Sequence, residues 1–176
     1  RSYNRCERVN ADNLLWLANE YYGGHKLIVW SHNVHAANAR FTTDYTSLVM
    51  SDTVVSLESS GRLLKRQLGD AIYSLGTIAF AGEWGFPDQL PARIREADPH
   101  SFEGLLHATG SSLLLVNLRP ARDGDNWLRQ PLLSSLSAQV PKARYPVVWP
   151  DVFDGVLFIG YHAGTTNPLG VRAHTM

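Results

Sequence analysis

The chain has 176 residues, 44% of them hydrophobic, which is enough for one ordinary domain with a substantial core. Sixteen basic and sixteen acidic side chains cancel to a formal net charge of zero, so no electrostatic case exists for binding nucleic acid or an anionic membrane. A single cysteine, Cys6, excludes an intrachain disulfide and a cysteine-based zinc cluster, and no apolar run is long enough for a transmembrane helix.

The compartment is predicted from the same counts. A lone cysteine is compatible with a reducing environment, and we predict a cytoplasmic protein. Because the first residue is Arg1 rather than Met, we expect the native start, and any signal sequence, to lie outside this sequence.

The first predicted elements are a helix and a buried strand. Arg5 to Tyr22 carries apolar residues at helical spacing, and Gly23-Gly24 ends the pattern. The run Leu27 to Trp30 is apolar without alternation, which is typical of a strand covered on both faces in a parallel sheet. Ligands of open α/β sheets bind at the carboxyl ends of strands, so the residues after Trp30 are the first candidates for function.

Two histidines follow this run at a spacing of three. Imidazole titrates near neutral pH, which suits His32 and His35 for proton transfer or for holding an oxyanion, and Asn33 can donate to a carbonyl oxygen. The alternative for each ring is a structural role, because one donor and one acceptor satisfy loop backbone. We predict His32 and His35 as catalytic residues and Asn33 as a substrate contact.

The stretch Ala36 to Ser56 has no clear period and predicts a long loop over the two histidines. We predict Arg40 and Tyr45 as substrate contacts, the first for a carboxylate and the second, with Phe41, for an apolar face. Asp44 is placed to orient a histidine. For each of these residues the alternative is an ordinary surface or locally packed loop residue.

The remaining chain alternates helix and strand signals. One predicted helix is capped by Ser56 and ended by Gly69, with Gly61 allowing a close approach to a neighbouring element. The predicted helices are Leu57 to Leu68 and Asp98 to Gly110, with short helices between Asn126 and Gln139. The predicted strands are Ala71 to Ala81, Ser111 to Leu118 and Val156 to Tyr161, with an extended edge at Val147 to Trp149.

Two polar residues stand at or beyond the ends of predicted strands. Glu83 lies in the predicted turn Gly82 to Gly85, and we predict it as a substrate contact, with an ordinary turn glutamate as the alternative. His162 ends the last strand, and parallel strands would bring it to the edge that carries His32.

This alternation predicts an α/β fold with a largely parallel sheet flanked by helices, the alternative being an α+β domain with a mixed sheet. We expect a single domain over residues 1–176, of which residues 163–176 form a mobile tail.

Several motifs, in order, resemble the C-terminal half of the erythromycin esterase family. The most specific is the strand followed by His32-Asn33-Val34-His35. The others are Val9-Asn10-Ala11-Asp12-Asn13-Leu14-Leu15-Trp16-Leu17, Gly61-Arg62-Leu63-Leu64, Leu68-Gly69, Tyr73-Ser74-Leu75-Gly76, Gly82, Ser101-Phe102-Glu103 and Asp154-Gly155-Val156-Leu157-Phe158-Ile159. The resemblance covers roughly residues 5 to 162.

The resemblance implies an esterase-type hydrolase that cleaves a small-molecule ester or lactone with water, and macrolide resistance is one setting of such activity. His32 and His35 would polarise the carbonyl, hold the water or stabilise the oxyanion. In the family the general-base histidine comes from an N-terminal half that has no counterpart here. We therefore expect a missing N-terminal segment as a partner, and little or no hydrolysis by this chain alone.

Two other functions stay open. No cofactor is predicted, but a divalent metal at His32 and His35 is the alternative, and it would make the chain a non-catalytic binding module. Such a site needs three or four protein ligands, which Asp44, Glu83 or His162 would have to complete. A degenerate fragment with only a structural role is the third possibility.

Overall fold

A computed structural model of the chain describes residues 2–39, 41–43, 55–85, 92–134 and 145–163. The chain divides into two compact units. The first comprises Arg1–Gly76 with Pro150–Gly155, and the second comprises Thr77–Trp149 with Val156–Met176. The single-domain organisation stays a prediction, and the predicted tail from 164 onward lies outside the described residues.

The first unit is built mainly from helices. The first helix, α1, is Ser2–Trp16, and a π-helical turn, Leu17–Tyr21, extends it. The other elements are helix α2 (Asn33–Ala36), strands β1 (Phe41–Thr43) and β2 (Val55–Leu57), helix α3 (Ser60–Leu68), a 3-10 turn (Gly69–Ala71) and residues 150–152 of helix α5 (Trp149–Val152). The first predicted helix is therefore confirmed in position, with its start three residues earlier.

The predicted boundaries of α3 and of the preceding loop need correction. Strands β1 and β2 pair antiparallel, Phe41 opposite Leu57, within and just beyond the stretch predicted as loop. The cap of α3 is Ser59 rather than Ser56, and its hydroxyl accepts from the Arg62 amide at 3.2 Å. Gly69, with a φ of 56°, ends the helix as predicted.

The second unit contains a four-stranded sheet in the order β4-β3-β8-β5. The strands are β3 (Leu75–Trp84), β4 (Ala92–Ile94), β5 (Leu113–Asn117) and β8 (Gly155–His162). Helix α4 (Phe102–His107), two 3-10 turns (Arg119–Ala121 and Trp127–Arg129) and the antiparallel pair β6 (Leu132–Ser134) with β7 (Tyr145–Val147) complete the described part.

The sheet supports the predicted α/β class, and its strand directions refine it. Strand β4 is antiparallel to β3. Strands β3 and β8 run in the same direction, since Ser74 meets Asp154 near their starts and Gly82 meets His162 near their ends. The fold is thus a mixed α/β structure with a four-stranded sheet and flanking helices, rather than a uniformly parallel sheet.

The second unit packs its core on one face of this sheet. Ile78, Val156 and Phe158 are buried at alternate positions of β3 and β8. The rings of Phe102 and Trp149 lie 4.6 Å apart, and both are fully buried. Leu113 and Leu115 of strand β5 are 62% and 68% exposed, so apolar side chains also lie at the surface.

The largest correction concerns Leu27 to Trp30. These residues have no regular secondary structure, and Ile28 and Trp30 are 95% and 93% exposed. The prediction of a buried strand is therefore wrong for this chain. The run is apolar enough for a core, but no strand among the described residues pairs with it.

Smaller corrections apply to the second unit. Strand β3 extends through Trp84, so Glu83 lies in a strand rather than in a turn, where it is opposite Arg93 of β4. Helix α4 is capped by Ser101 rather than Asp98. After the turn Trp127–Arg129 the chain forms β6, where a helix was predicted; residues 135–144 lie outside the described part. None of the described helices is long and apolar enough to cross a bilayer.

Candidate functional site

The short helix α2 places His32 and His35 on one turn. His32 is its N-cap and His35 lies in its last turn. The two ring centroids are 6.4 Å apart and the rings meet edge to face. His32 is exposed, and the side chain of His35 is 39% exposed. Both imidazoles of this histidine pair are therefore close together and reachable from solvent.

A buried glutamate from α1 holds His35. Nδ1 of His35 lies 2.7 Å from Oε1 of Glu7, whose side chain is 1% exposed. The other carboxylate oxygen, Oε2, accepts from the amide and the hydroxyl of Ser60 at 2.8 and 2.9 Å. Ser60 is the first residue of α3, so the carboxylate lies at the positive end of that helix, where an anion is stabilised.

The ring of Tyr3 covers one face of His35. The two rings are stacked, with 5.8 Å between centroids and 16° between planes. The Tyr3 hydroxyl lies 3.5 Å from Nδ1 of His35, at the limit of a hydrogen bond. Tyr3, Glu7 and Ala11 are spaced four apart on α1, so one helix face supplies the stack, the carboxylate and a buried contact.

Two serine hydroxyls donate to the carbonyl end of α2. Ser59 donates to the carbonyl of Ala37 at 2.5 Å, and Ser74 donates to that of Ala36. These carbonyls have no partner within so short a helix, and the two hydroxyls supply one. The Ser60 hydroxyl, which donates to Glu7, also lies 3.3 Å from the carbonyl oxygen of His35. Gly61 packs directly on the same backbone, as its predicted close approach requires.

His32 is held by the backbone of its own helix. Its Nδ1 accepts from the Val34 amide at 3.2 Å, which is the usual N-cap bond. Partial desolvation of the His32 ring by the surrounding protein, with a smaller contribution from the charge of His35, lowers the pKa of His32 below its ordinary value of 6.5. His32 is therefore biased toward the neutral form near pH 7.

The outer ring nitrogens of the histidine pair are Nε2 of His32 and Nε2 of His35. Both Nδ1 atoms are engaged, His32 with Val34 and His35 with Glu7. Within the part of the chain that the structure describes, no hydrogen-bond partner meets Nε2 of either ring. A substrate or a water molecule can therefore reach both.

The other predicted site residues fall in three places. Asn33 is the first residue of α2, between the histidines. Arg40, Tyr45 and Asp44 lie outside the described residues. Glu83 and His162 are in the second unit, where Nδ1 of His162 is 2.7 Å from the carbonyl oxygen of Glu83.

Sequence reasoning missed Glu7. The sequence does contain a sign of its burial. Glu7 lies four residues before Ala11, an apolar position of the helix, and this spacing places the carboxylate on the buried side of α1. Arg5 and Arg8, the charged residues beside Glu7 on the same helix, are both exposed.

The described residues contain no group of three or more His, Cys, Asp or Glu side chains arranged to hold a metal ion. A metal at the histidine pair would need a further ligand from elsewhere. The metal alternative stays a hypothesis.

Two solved structures share this fold over most of the chain. A crystal structure of a protein from Bacillus cereus aligns with 92% of this chain, at a TM-score of 0.64 and 18% identity. The crystal structure of a succinoglycan biosynthesis protein aligns with 89% of this chain, at a TM-score of 0.65 and 20% identity. The aligned part is 39% of the first structure and 38% of the second, so this chain spans about two fifths of their length.

A family model described as erythromycin esterase matches residues 2–160. The match includes all the described residues that surround the histidine pair.

Proposed function

The chain belongs to the erythromycin esterase family, and on this premise we propose that it supplies the histidine part of a site that hydrolyses an ester or lactone with water. Membership supports a hydrolase-type function in general. The finer proposal is that His32 and His35 polarise the substrate carbonyl, hold the attacking water or stabilise the oxyanion. The general base comes from a further segment of the complete family domain.

One observation supports this proposal: Nδ1 of each histidine is hydrogen-bonded within the protein, and Nε2 of each has no hydrogen-bond partner among the described residues. The 2.7 Å contact between His35 and buried Glu7 fixes one ring, and the Val34 amide fixes the other. Imidazoles held in this way are suited to positioning polar groups of a substrate, because little rotamer freedom remains to be lost on binding. Asn33, Arg40 and Tyr45 remain the proposed substrate contacts beside the histidine pair, and Glu83 stays a separate prediction from the sequence.

The test compares turnover of activated esters and of macrolide lactones by this chain and by the protein expressed from its complete reading frame. We expect little or no turnover by residues 1–176 alone. In the active form, His32→Ala and His35→Ala should each lower kcat/KM by about 100-fold or more, the usual size of a lost acid–base or oxyanion contact.

The matched control is His25→Ala, which removes an exposed histidine from the turn after α1. It should leave turnover unchanged. Robust turnover by residues 1–176 alone would contradict the need for another segment. Full activity of the His32→Ala, His35→Ala double variant would contradict the proposal as a whole.

A divalent metal at the histidine pair is the second candidate. It is favoured by the carboxylate on Nδ1 of His35, because metal-binding imidazoles usually donate their other ring N–H to such a group. Elemental analysis of protein purified without added metal tests it. Stoichiometric zinc or manganese that is lost in His35→Ala would support binding, and metal-free protein that takes up no added zinc would reject it.

A further inference from the structure

We propose that the histidine pair presents opposite hydrogen-bonding atoms to its substrate: Nε2 of His35 accepts from the attacking water, and the Nε2–H of His32 donates to the carbonyl oxygen. This division of roles rests on the proposed function. Glu7 and the Val34 amide are the positioning groups that set it.

The acceptor character of His35 follows from Glu7. The amide and hydroxyl of Ser60 both donate to Oε2 at the first turn of α3, so this oxygen acts as an acceptor. An ionised carboxylate only accepts, so the ring nitrogen 2.7 Å away must carry a proton. When the His35 ring is neutral, a proton on Nδ1 leaves the lone pair on Nε2.

The donor character of His32 follows from its role as N-cap. The Val34 amide can only donate, so Nδ1 of His32, 3.2 Å away, accepts and carries no proton. The neutral ring must then hold its proton on Nε2.

The two tautomers suit the two ends of a hydrolytic reaction. A water molecule is oriented by an acceptor, and a carbonyl oxygen that gains charge is stabilised by a donor. One turn of helix supplies both, with ring centroids 6.4 Å apart. Two histidines of the same tautomer would offer only one of these functions.

Long-range proton–nitrogen NMR of the ¹⁵N-histidine-labelled chain at pH 8 tests the inference, because it separates protonated from unprotonated ring nitrogens. Single His→Asn variants assign the signals. We expect the Nδ1–H form for His35 and the Nε2–H form for His32. An Nε2–H form of His35, or an Nδ1–H form of His32, in the wild-type chain would overturn the proposal.

Glu7→Gln tests the positioning role. The single amide oxygen should be taken by the two Ser60 donors, which turns the amide NH₂ toward His35 and shifts that ring to the Nε2–H form. Glu58→Gln is the control, since Glu58 pairs with Arg66 at 2.8 Å and should leave both tautomers unchanged. An unchanged His35 tautomer in Glu7→Gln would overturn the role of Glu7. Should Glu7→Gln fail to fold, the wild-type spectrum decides alone.

The NMR spectra and the turnover assay test the tautomer assignment and the proposed function separately. Expected tautomers without ester cleavage in any form of the protein would contradict the proposed function and leave the tautomer assignment standing. Cleavage that depends on both histidines, with like tautomers, would contradict only the division of roles.

Discussion

At the scale of single residues, Glu7 connects the packing of the protein to its chemistry. A buried carboxylate without partners is strongly unfavourable, and Glu7, at 1% exposure, has three donors: two from Ser60 and one from His35. The same contacts that make its burial tolerable fix the orientation of His35. A residue buried in the first unit thus also sets which ring nitrogen of His35 faces the site.

The lowered pKa of His32 predicts a pH dependence of stability. In the unfolded chain His32 titrates near 6.5, and in the folded chain it titrates lower, so between these values the unfolded state binds more protons. The contribution of His32 to the free energy of unfolding is therefore fully present above pH 6.5 and decreases as the pH falls through 6.5 toward the folded pKa.

His32→Asn removes this titration and keeps an oxygen that can accept from Val34 as N-cap. Urea unfolding at pH 7.5 and 5.5 should show a larger loss of stability in the wild type than in His32→Asn. His25→Asn, in an exposed turn, should keep the wild-type loss. Equal losses in wild type and His32→Asn would contradict the prediction.

Part of the candidate site could be predicted from local sequence. His32, Asn33 and His35 are close in sequence, and a single turn places them together. Glu7 is 28 residues away from His35, and only the packing of α1 against α2 and α3 makes it a neighbour. Spacing within the motif contains no information about such a contact, whereas the register of Glu7 with Ala11 does indicate burial.

At the scale of elements, α2 and α3 form one supporting unit for the histidine pair. The serine hydroxyls of residues 59 and 74 donate to the carbonyls of Ala37 and Ala36 at the end of α2, and Gly61 allows the backbones of α2 and α3 to touch. A further anchor comes from the later chain: Asn38 donates its amide N–H to the Val152 carbonyl at 2.7 Å and its side-chain NH₂ to Asp154 at 3.3 Å. The helical turn that carries the histidines is therefore anchored both by α3 and by residues 152 and 154.

Gly61→Ala tests this contact. A Cβ at residue 61 would overlap the carbonyl of Ala36 and lie 2.9 Å from the carbonyl oxygen of Ala37, and backbone cannot easily move away. Overpacking of this kind costs about 1–3 kcal/mol or more, which should exceed the gain of about 1 kcal/mol in helix propensity.

We therefore expect Gly61→Ala to lower the free energy of unfolding, measured by urea denaturation, and to shift the ring signals of His35. Gln67→Ala, at an exposed position of the same helix, should change stability by no more than about 0.5 kcal/mol. A more stable Gly61→Ala variant would show that the two backbones are not in contact.

Helices and strands differ in how well their bounds were predicted. The end of α3 at Gly69 was correct because glycine adopts the positive φ that ends a helix. Its start was misplaced by three residues, because Ser56, Ser59 and Ser60 are all good caps and the choice depends on the pairing of β2 with β1. Strands β5 and β8 were located correctly by their apolar runs.

At the scale of the whole molecule, the apolar run Leu27 to Trp30 shows what sequence pattern leaves open. Such a run indicates that burial would be favourable, and it does not identify what covers it. Pairing between strands is a long-range property, and among the described residues no strand pairs with this run. The chain spans about two fifths of the two solved structures described above, so the polypeptides in which that fold is seen there are longer.

The exposure of this run leads to a prediction about stability. Ile28 is 95% exposed and Ile78 of strand β3 is 4% exposed, so the same substitution at the two positions separates surface from core. Ile78→Ser should lower the free energy of unfolding of residues 1–176 by about 3 kcal/mol or more, since it removes buried methyl groups and buries a hydroxyl. Ile28→Ser should change it by no more than about 0.5 kcal/mol, because the side chain is in water before and after unfolding. Urea denaturation of both variants at one pH measures the difference. A cost at Ile28 similar to that at Ile78 would show that the run is buried in this chain, as the sequence pattern alone predicts.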